Sequence, residues 1–522
     1  MNQMQTLNRF IVRIAVPVSM LMIVTCAFGQ IGAPARQGQA ASATQLPLSG
    51  RTGQNGSVTV TELPVPGTTT SVNTLNPGVQ VQGAYTGSAK GKEPFSGKLS
   101  LREAVERALR YNLGAVGISD AVRQARGQSR VARSALLPNL NGNLSETVQQ
   151  LNLRANGLRF NVPQFAGFSI PSVVGPFNYF DLRATLSQTV VDATAWNNRR
   201  SAAENLRVSE FSARDARDLV VLAVGGAYLQ VIAAAARVRS AHAQLDTANA
   251  LYQQTSQQRT VGLVAQIDVN RSRVQVLTQE QRVASLENDL AKQKINLARM
   301  TGLPPTDQYD IADDVPFEAA PAINMDDALK QAFGRRADLK AAEAQVRAAE
   351  RARAAARAER LPALSLSADY GAIGMNPAQA HGTFSVVGSL KFPIWQGGRI
   401  EGDIEQAEAA LAQRQAEFED LRAQVEADVR RALLDLRAAR NQVEVARENI
   451  QVTRENLKLT RQRVDAGVSD NVEVVQSQES LANAELDYIN SVFAHNLTKL
   501  SLARAIGQAA ENLGQVLMVR QR

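Results

Sequence analysis

The side chains best suited to catalysis or metal binding are scarce in this chain, and they are not spaced for either task. The three histidines, His242, His381 and His495, lie in different segments, and the only cysteine is Cys26. No Cys, His and Asp spacing is typical of a metal site, and no P-loop, GxSxG or GxGxxG motif occurs. The sequence therefore predicts no enzyme and no resident cofactor or metal.

The N-terminus predicts export from the cytoplasm. Two arginines precede an apolar core at 14–27, which is shorter than a membrane-spanning helix, and small residues up to Gly29 form a cleavage site. We expect residues 1–29 to be a signal peptide. Cys26 leaves two interpretations open: it is removed with that peptide, or residues 23–26 are an imperfect lipoprotein box and Cys26 is lipidated. We identify no other uncharged apolar run long enough to cross a bilayer as a helix.

Composition favours long helices over one large globular core. Aromatic residues make up only 5% of the 522 residues, and alanine is plentiful. The net charge of +8 suggests nucleic acid at first. However, basic residues alternate with acids at helical spacing, as in Glu343 with Arg347 and Glu444 with Arg447, which is typical of solvated helix faces. We therefore expect no nucleic-acid partner.

The chain contains an internal repeat. Val224 and Val429 occupy equivalent positions, 205 residues apart, and each opens a run of apolar residues spaced by seven with small residues between them. Such a period predicts long helices that supercoil against close neighbours. In the second half the large members of the run are Val429, Leu436, Val443, Ile450, Leu457 and Val464.

Each half also predicts two β-strands between its helices. A helix stops at Pro138 in the first half and at Pro362 in the second, because proline cannot continue a helix. Polar and apolar residues then alternate with the period of two that is typical of strands. The predicted strands are 139–148, 182–191, 364–370 and 383–392, and a loop is expected at 152–178.

The predicted organisation follows from these patterns. The segment before the first repeat is rich in Gly, Ser, Thr, Pro and Gln, and we expect it to be a flexible, low-complexity extension. The first repeat opens with one helix that runs from 101 to 137 and continues through two strands, a long helix and a return helix. In chain order the domains are the signal peptide 1–29, the extension 30–97, repeat 1 at 98–303, a linker at 304–322, repeat 2 at 323–507 and a C-terminal tail at 508–522.

Four strands with one polar and one apolar face cannot close a membrane barrel alone. The smallest bacterial barrels use about eight strands, and an open edge in lipid is costly. Three copies would supply twelve strands, enough to enclose a channel lined by Asn, Ser and Thr. The alternative, from another functional class, is a periplasmic coiled-coil scaffold or adaptor without a pore.

With these features the chain resembles the TolC-type outer-membrane efflux proteins over nearly all of 99–507. Residues 261–269, Val-Gly-Leu-Val-Ala-Gln-Ile-Asp-Val, look like the family's first helix–turn–helix tip, and 466–469, Ala-Gly-Val-Ser, look like the second. The resemblance implies a mixed α and β membrane protein in which a twelve-stranded transmembrane β-barrel continues into a long α-helical barrel. It further implies a passive, homotrimeric exit duct in outer-membrane lipid, joined to an inner-membrane pump through a periplasmic adaptor.

The resemblance also implies a periplasmic gate at the two tips, whose glycines are Gly262 and Gly467. Asp268 falls on the family's tip aspartate, and Glu473 falls on an aspartate that rings the constriction. Three copies of either acid would form a negative ring that favours cations. The alternative for Asp268 is a purely structural role, in which its charge stabilises a helix N-terminus by about 0.3–1 kcal/mol.

The chain departs from the family pattern at the residues that lock the gate. The family's gating arginine is Ser469 here, its gating tyrosine is Val464, and a further ring aspartate is Gln476. Asp470 and Arg463 are the candidates to substitute for them.

Overall fold

The computed structural model describes residues 57–62, 77–89, 95, 97–155, 157, 171–304, 306, 309–319, 323–466, 468, 471–510 and 520–521. The predicted signal peptide with Cys26 lies outside these residues. So do three residues of the second tip, Gly467, Ser469 and Asp470.

The first half begins with three short strands and continues through paired helices, two long strands and two longer helices. Its elements are β1 (Val58–Glu62), β2 (Pro77–Val81), β3 (Gly97–Leu99), α1 (Leu101–Tyr111), α2 (Leu113–Ser134), β4 (Asn139–Asn152), β5 (Val173–Val191), α3 (Ala193–Thr260) and α4 (Gln266–Thr301).

The second half repeats the order of helices and long strands. Its elements are β6 (Tyr309–Ile311), β7 (Asp313–Asp314), α5 (Met325–Arg335), α6 (Ala337–Ala358), β8 (Ala363–Gly374), β9 (His381–Lys391), α7 (Arg399–Asp465), α8 (Asn471–Ala505) and β10 (Arg520–Gln521).

The four long strands form one antiparallel sheet in the order β4-β5-β8-β9. In the described part of the chain β4 and β9 are its edges. Below the sheet α2, α3, α6 and α7 form a row in which each helix packs on the next, so α2 and α7 lie at its ends. Farther along, α3 pairs with α4 and α7 pairs with α8. At about 1.5 Å per residue, α3 and α7 each extend roughly 100 Å.

Each half has its own buried apolar cluster, and equivalent residues build both. A short helix, the middle of a long helix and the end of its return helix meet in each cluster, which removes apolar surface from water. The equivalent buried residues are Ala104, Val224 and Leu297 in the first half and Ala328, Val429 and Leu502 in the second.

The first cluster is fixed by a buried polar network around Tyr228. The Tyr228 hydroxyl lies 2.8 Å from the Leu99 carbonyl oxygen and 3.0 Å from Asp313 Oδ2, and it donates to these acceptors. Asp313 also accepts from the Leu101 backbone N–H at 2.6 Å. Burial and the neighbouring Asp313 carboxylate both raise the pKa of Tyr228, so it stays a donor. The network joins α3, the start of α1 and the predicted linker.

The prediction of one helix from 101 to 137 is wrong, because the helix breaks at Asn112. Asn112 has an extended backbone and is fully buried. Its Oδ1 accepts from Gly114 N–H, and its Nδ2 donates to the carbonyls of Tyr85 and Met300. Asn112 thus caps α2 and ties it to two other segments.

The prediction of a flexible extension at 30–97 is wrong for the parts of it that are described as ordered structure. β1 pairs with β2 in an antiparallel hairpin, and Val58 is buried in the first apolar cluster. Val79 of the hairpin lies directly over Gly226 of α3, where a Cβ would collide with it. The weak alternation of Val58 and Val60 is the sequence signal for this docked hairpin.

Three further sequence expectations need correction. The expectation that no other uncharged apolar run is long enough to cross a bilayer is wrong, because the stretch 219–236 is long and apolar enough, although 67% of it is buried inside the protein. Strand β5 begins at Val173, inside the expected loop 152–178. At the C-terminal tail, β10 pairs with β7.

Candidate functional site

The described residues of the two helix–turn–helix tips share a backbone hydrogen bond at equivalent positions. In the first tip the Leu263 N–H donates to the Gln258 carbonyl at 2.9 Å, and in the second the Val468 N–H donates to the Arg463 carbonyl at 2.9 Å. This bond satisfies a free carbonyl at the end of each long helix. Gly262 has φ of +80°, a left-handed conformation that favours glycine.

Matching hydroxyl pairs join the two helices of each hairpin near its tip. Thr255 Oγ1 of α3 lies 2.8 Å from Ser272 Oγ of α4, and Thr460 Oγ1 of α7 lies 3.2 Å from Ser477 Oγ of α8. Both pairs are spaced by 17 residues. Because small hydroxyl side chains meet here, the helices can approach closely at the tips.

The two acidic residues predicted at the gate lie in the first turns of the return helices. Asp268 is the third residue of α4 and pairs with Arg271 at 3.6 Å. Glu473 is the third residue of α8 and pairs with Arg463 of α7 at 3.5 Å. The pair of Arg463 and Glu473 therefore closes the second hairpin across its own tip. Each acid stabilises a helix N-terminus and has a basic neighbour within its own hairpin.

Pro138 and Pro362 stand directly before the long strands β4 and β8. The register pairs Asn139 with Ser187 and Ala363 with Lys391, so both prolines lie at the same end of the sheet. Helices α2 and α6 reach the sheet at this end, and α3 and α7 leave it there. All four helices therefore project from one end of the sheet.

The sheet has one apolar face and one polar face. The register places even-numbered residues of the four strands together, and large apolar side chains dominate that face. The exposed members of this apolar set are Leu140, Leu144, Val148, Leu182, Tyr370, Phe384, Val386 and Leu390. The opposite face is lined by Asn, Ser and Thr.

A charged cluster on the polar face was not recognised in the sequence. Arg183 of β5 lies 3.3 Å from Asp181 on the same strand and 3.1 Å from Asp369 on β8. All three side chains are partly shielded from solvent. The sequence signal was three charges on strand positions that otherwise hold Asn, Ser and Thr, but their proximity depends on the register of β5 with β8.

No group of three or more His, Cys, Asp or Glu in the described segments is arranged to hold a metal ion. What the described residues do form is a set of paired helix tips, a polar sheet face and an apolar sheet face. This arrangement suits a conduit rather than a binding pocket for a reactant.

Comparison with known proteins gives a consistent result. A family model described as outer membrane efflux protein matches residues 119–303 and 328–508. The pyoverdine export outer membrane protein OpmQ of Pseudomonas aeruginosa is 26% identical over 423 residues, which cover 79% of this chain and 85% of OpmQ. Outer membrane protein OprJ of the same organism is 26% identical over 450 residues, which cover 82% of this chain and 88% of OprJ.

Solved structures share the fold. The outer membrane protein VceC of Vibrio cholerae superposes with a TM-score of 0.65 at 20% identity, over 79% of this chain and 97% of VceC. The CmeC outer membrane channel of Campylobacter jejuni superposes with a TM-score of 0.66 at 16% identity, over 88% of this chain and 98% of CmeC.

Proposed function

The chain belongs to the outer membrane efflux protein family, and from this premise we propose that three copies of it form the passive exit duct of a tripartite efflux or secretion system. The family consists of outer-membrane channels with a periplasmic helical extension, and its members work with a periplasmic adaptor and an inner-membrane pump. For this chain we propose in addition a homotrimer, a twelve-stranded barrel and a set of residues at the entrance.

The observation that carries the proposal is a sheet with two open edges. Strands β4 and β9 each pair on one side only within the described chain, and the sheet exposes an apolar face. In lipid every unpaired backbone group costs several kcal/mol, so both edges need partners. Pairing β9 of one copy with β4 of the next around a three-fold axis closes twelve strands and removes every edge.

The helices support the same closure. Where the two halves meet inside one chain, α3 packs on α6: Ser201 Oγ donates to the Ala348 carbonyl at 3.0 Å, and Glu204 pairs with Arg347 at 3.1 Å. The repeat offsets are 205 for the long helices and 224 for α2 and α6. By these offsets α3 is equivalent to α7 and α6 is equivalent to α2, so the equivalent contact would join the two free ends of the row. The contact inside the chain is therefore the template for the contact between copies.

The positions equivalent to Ser201 and Ala348 are Gln406 on α7 and Gln124 on α2, and both are exposed. Arg123 of α2 is equivalent to Arg347 and is exposed, and its one ion pair among the described residues is with Asp120 of its own helix. We infer that these side chains lie between neighbouring copies.

The tips supply the entrance in this proposal. Tips on α3–α4 and α7–α8 lie far from the sheet, at the ends that would face a pump and its adaptor. Asp268 and Glu473 then form acidic rings near the axis, with Arg463 holding Glu473 in the role that the family gives to another arginine. Relatives are named for pyoverdine export and for fusaric acid resistance. We accordingly propose small organic molecules as cargo, selected by the pump.

Cysteine cross-linking tests the trimer directly. In a Cys26→Ala background, Gln406→Cys combined with Gln124→Cys should link copies through α7 and α2 and give trimers on denaturing gels. The matched control, Ser201→Cys with Ala348→Cys, should link α3 to α6 inside one copy and leave the mass unchanged.

The same experiment separates the duct from the scaffold alternative. A monomeric scaffold gives no cross-linked trimer with either pair, and its strands are cut by protease in intact outer membranes. Trimers from the Gln406 and Gln124 pair together with protease-resistant strands would exclude it.

A further inference from the structure

The four helix ends next to the sheet are rich in arginine. Within twelve residues of the strand ends, roughly 18 Å along a helix, there are nine arginines and four carboxylates. We call the nine residues the arginine collar. They are Arg130 and Arg133 of α2, Arg199 and Arg200 of α3, Arg351, Arg353, Arg357 and Arg360 around the end of α6, and Arg399 of α7.

Three of the four carboxylates of this region already pair with arginines of the collar. Arg399 pairs with Glu359 and Asp403, each at 2.7 Å, and Arg360 pairs with Glu401 at 3.3 Å. The fourth acid, Asp192, accepts from two backbone N–H groups and caps α3. Arg357 pairs with Glu408, farther along α7.

The repeat explains why the first half keeps its positive charge. Arg133 of α2 is equivalent to Arg357 of α6, but the acid that neutralises Arg357 has no counterpart on α3. Position 408 corresponds to Ala203, and position 401 corresponds to Trp196. Among the described contacts, six collar arginines make no ion pair: Arg130, Arg133, Arg199, Arg200, Arg351 and Arg353.

Both tryptophans of the chain lie in the same zone. Trp196 is 44% exposed, and its ring lies under the guanidinium groups of Arg199 and Arg200 at 5.2 and 5.3 Å. Trp395 is 84% exposed, and its neighbour Ile394 is 96% exposed. Indole rings concentrate at the boundary between hydrocarbon and headgroups. Exposed apolar side chains beside unpaired arginines therefore indicate a surface that contacts the edge of a bilayer.

We propose that the arginine collar binds the phosphate groups of anionic phospholipids in the periplasmic leaflet, and so sets the height of the barrel in the membrane. This inference rests on the proposed insertion of the strands. A guanidinium group offers paired N–H donors that match phosphate oxygens. Clustered arginines at a membrane surface attract anionic lipids. Tryptophan and isoleucine enter the acyl boundary on the same side.

A second copy is the competing occupant for the arginines of α2, because α2 lies at the end of the helical row. The first arginines of α3 are less suited to that role. Arg199 and Arg200 flank Trp196, and α3 lies inside the row between α2 and α6. A neighbouring copy would pack on the ends of the row, so we do not expect it to neutralise Arg199 and Arg200.

The two tryptophans make the inference measurable, since they are the chain's only indole fluorophores and both lie beside the arginine collar. The full chain is reconstituted in vesicles that contain the same mole fraction of either brominated phosphatidylglycerol or brominated phosphatidylcholine. Brominated chains quench nearby tryptophan. We expect phosphatidylglycerol to quench at least about twofold more strongly, since each arginine near the surface attracts anionic lipid. High salt should reduce the excess.

Two variants and a matched control locate the effect. Arg130→Gln with Arg133→Gln and, separately, Arg199→Gln with Arg200→Gln should each reduce the phosphatidylglycerol excess. The control Arg259→Gln with Arg461→Gln removes two exposed arginines near the tips and should leave it unchanged. The α2 variant leaves Trp196 and its stacked arginines intact, so its result does not depend on altered indole fluorescence.

The possible outcomes distinguish anionic-lipid binding, membrane insertion and contact with a neighbouring copy. Equal quenching by the two lipids would overturn the collar as an anionic-lipid site while leaving the inserted barrel standing. Absence of quenching by either lipid would contradict the proposed insertion itself. A loss of trimer cross-linking in the α2 variant without a change in lipid preference would assign Arg130 and Arg133 to a neighbouring copy and overturn the proposal for them.

Discussion

Thr255 and Ser272 share a buried hydrogen bond of 2.8 Å between the two helices of the first hairpin, and Thr460 and Ser477 repeat it in the second hairpin at 3.2 Å. Three residues before each serine an apolar residue is also buried, Val269 in α4 and Val474 in α8. The two hairpins thus use the same lock at the same distance from their tips. The internal repeat therefore extends to the contacts that hold each hairpin together.

The hydroxyl lock should contribute to the stability of the hairpin. Thr255→Val removes the hydrogen bond between the helices, while the Ser272 hydroxyl keeps the Val269 carbonyl as an acceptor, and we expect a loss of about 1 kcal/mol in the free energy of unfolding. The double variant with Ser272→Ala should cost less than the sum of the single changes. Hydrogen exchange of the amides flanking the tip measures this. Strict additivity would show that the two hydroxyls do not interact.

The acidic residues at the tips should set conductance and ion preference. Replacing Asp268 and Glu473 together by Ala removes two carboxylates per copy and frees Arg463, so we expect higher single-channel conductance and weaker cation preference. Planar-bilayer recording measures both properties. Asp326→Ala with Asp327→Ala, on the exposed start of α5, is the charge-matched control. Identical recordings from the two double variants would remove Asp268 and Glu473 from the entrance.

Substitutions at Arg183 and at its acidic partners should change the ion preference of the proposed barrel in opposite directions. Arg183→Gln leaves the carboxylates of Asp181 and Asp369 without their cation, so cation preference should rise. Asp369→Asn leaves Arg183 with one carboxylate, so cation preference should fall. Reversal potentials under a salt gradient give the sign. Shifts in the same direction for both variants would show that the polar face does not contribute its charge to the pore.

His495 should make stability depend on acid. Burial, with Lys499 and Arg440 nearby, lowers the pKa of His495 to about 4, and its ring packs edge-on against Phe317. The unfolded histidine titrates near pH 6.5, so the unfolded chain gains a proton first as the pH falls. Stability should therefore drop by about 2 kcal/mol between about pH 7.5 and about pH 5.

The variant His495→Phe keeps an aromatic ring against Phe317 and removes the titration. Denaturant midpoints at the two pH values test the prediction, since the variant should lose most of the difference that the parent shows. An equal pH response in both proteins would mean that other groups control acid stability.

Periodicity was sufficient to predict the long helices and the strands. Heptads of large and small residues leave no alternative to paired long helices, and alternation after Pro138 and Pro362 indicates strands. The family model and the solved structures confirm the resemblance that these patterns suggested. The roles of Asp268 and Glu473 stay predictions.

Features that depend on contacts distant in sequence were missed. The break at Asn112 requires carbonyls from Tyr85 and Met300, which lie far away along the chain. The docked hairpin requires the absence of a side chain at Gly226, because Val79 packs where a Cβ would lie. The ion pair of Arg183 with Asp369 requires the register of two strands from different halves. Local propensity carries no information about such pairings.

Single-channel recording on the purified protein, with its mass determined in the same detergent, tests the central claim most directly. The account predicts a mass of three copies and steady, cation-selective currents that the Asp268 and Glu473 double variant enlarges. A monomer that gives no current in a bilayer would contradict the account and leave the scaffold as the function of this fold.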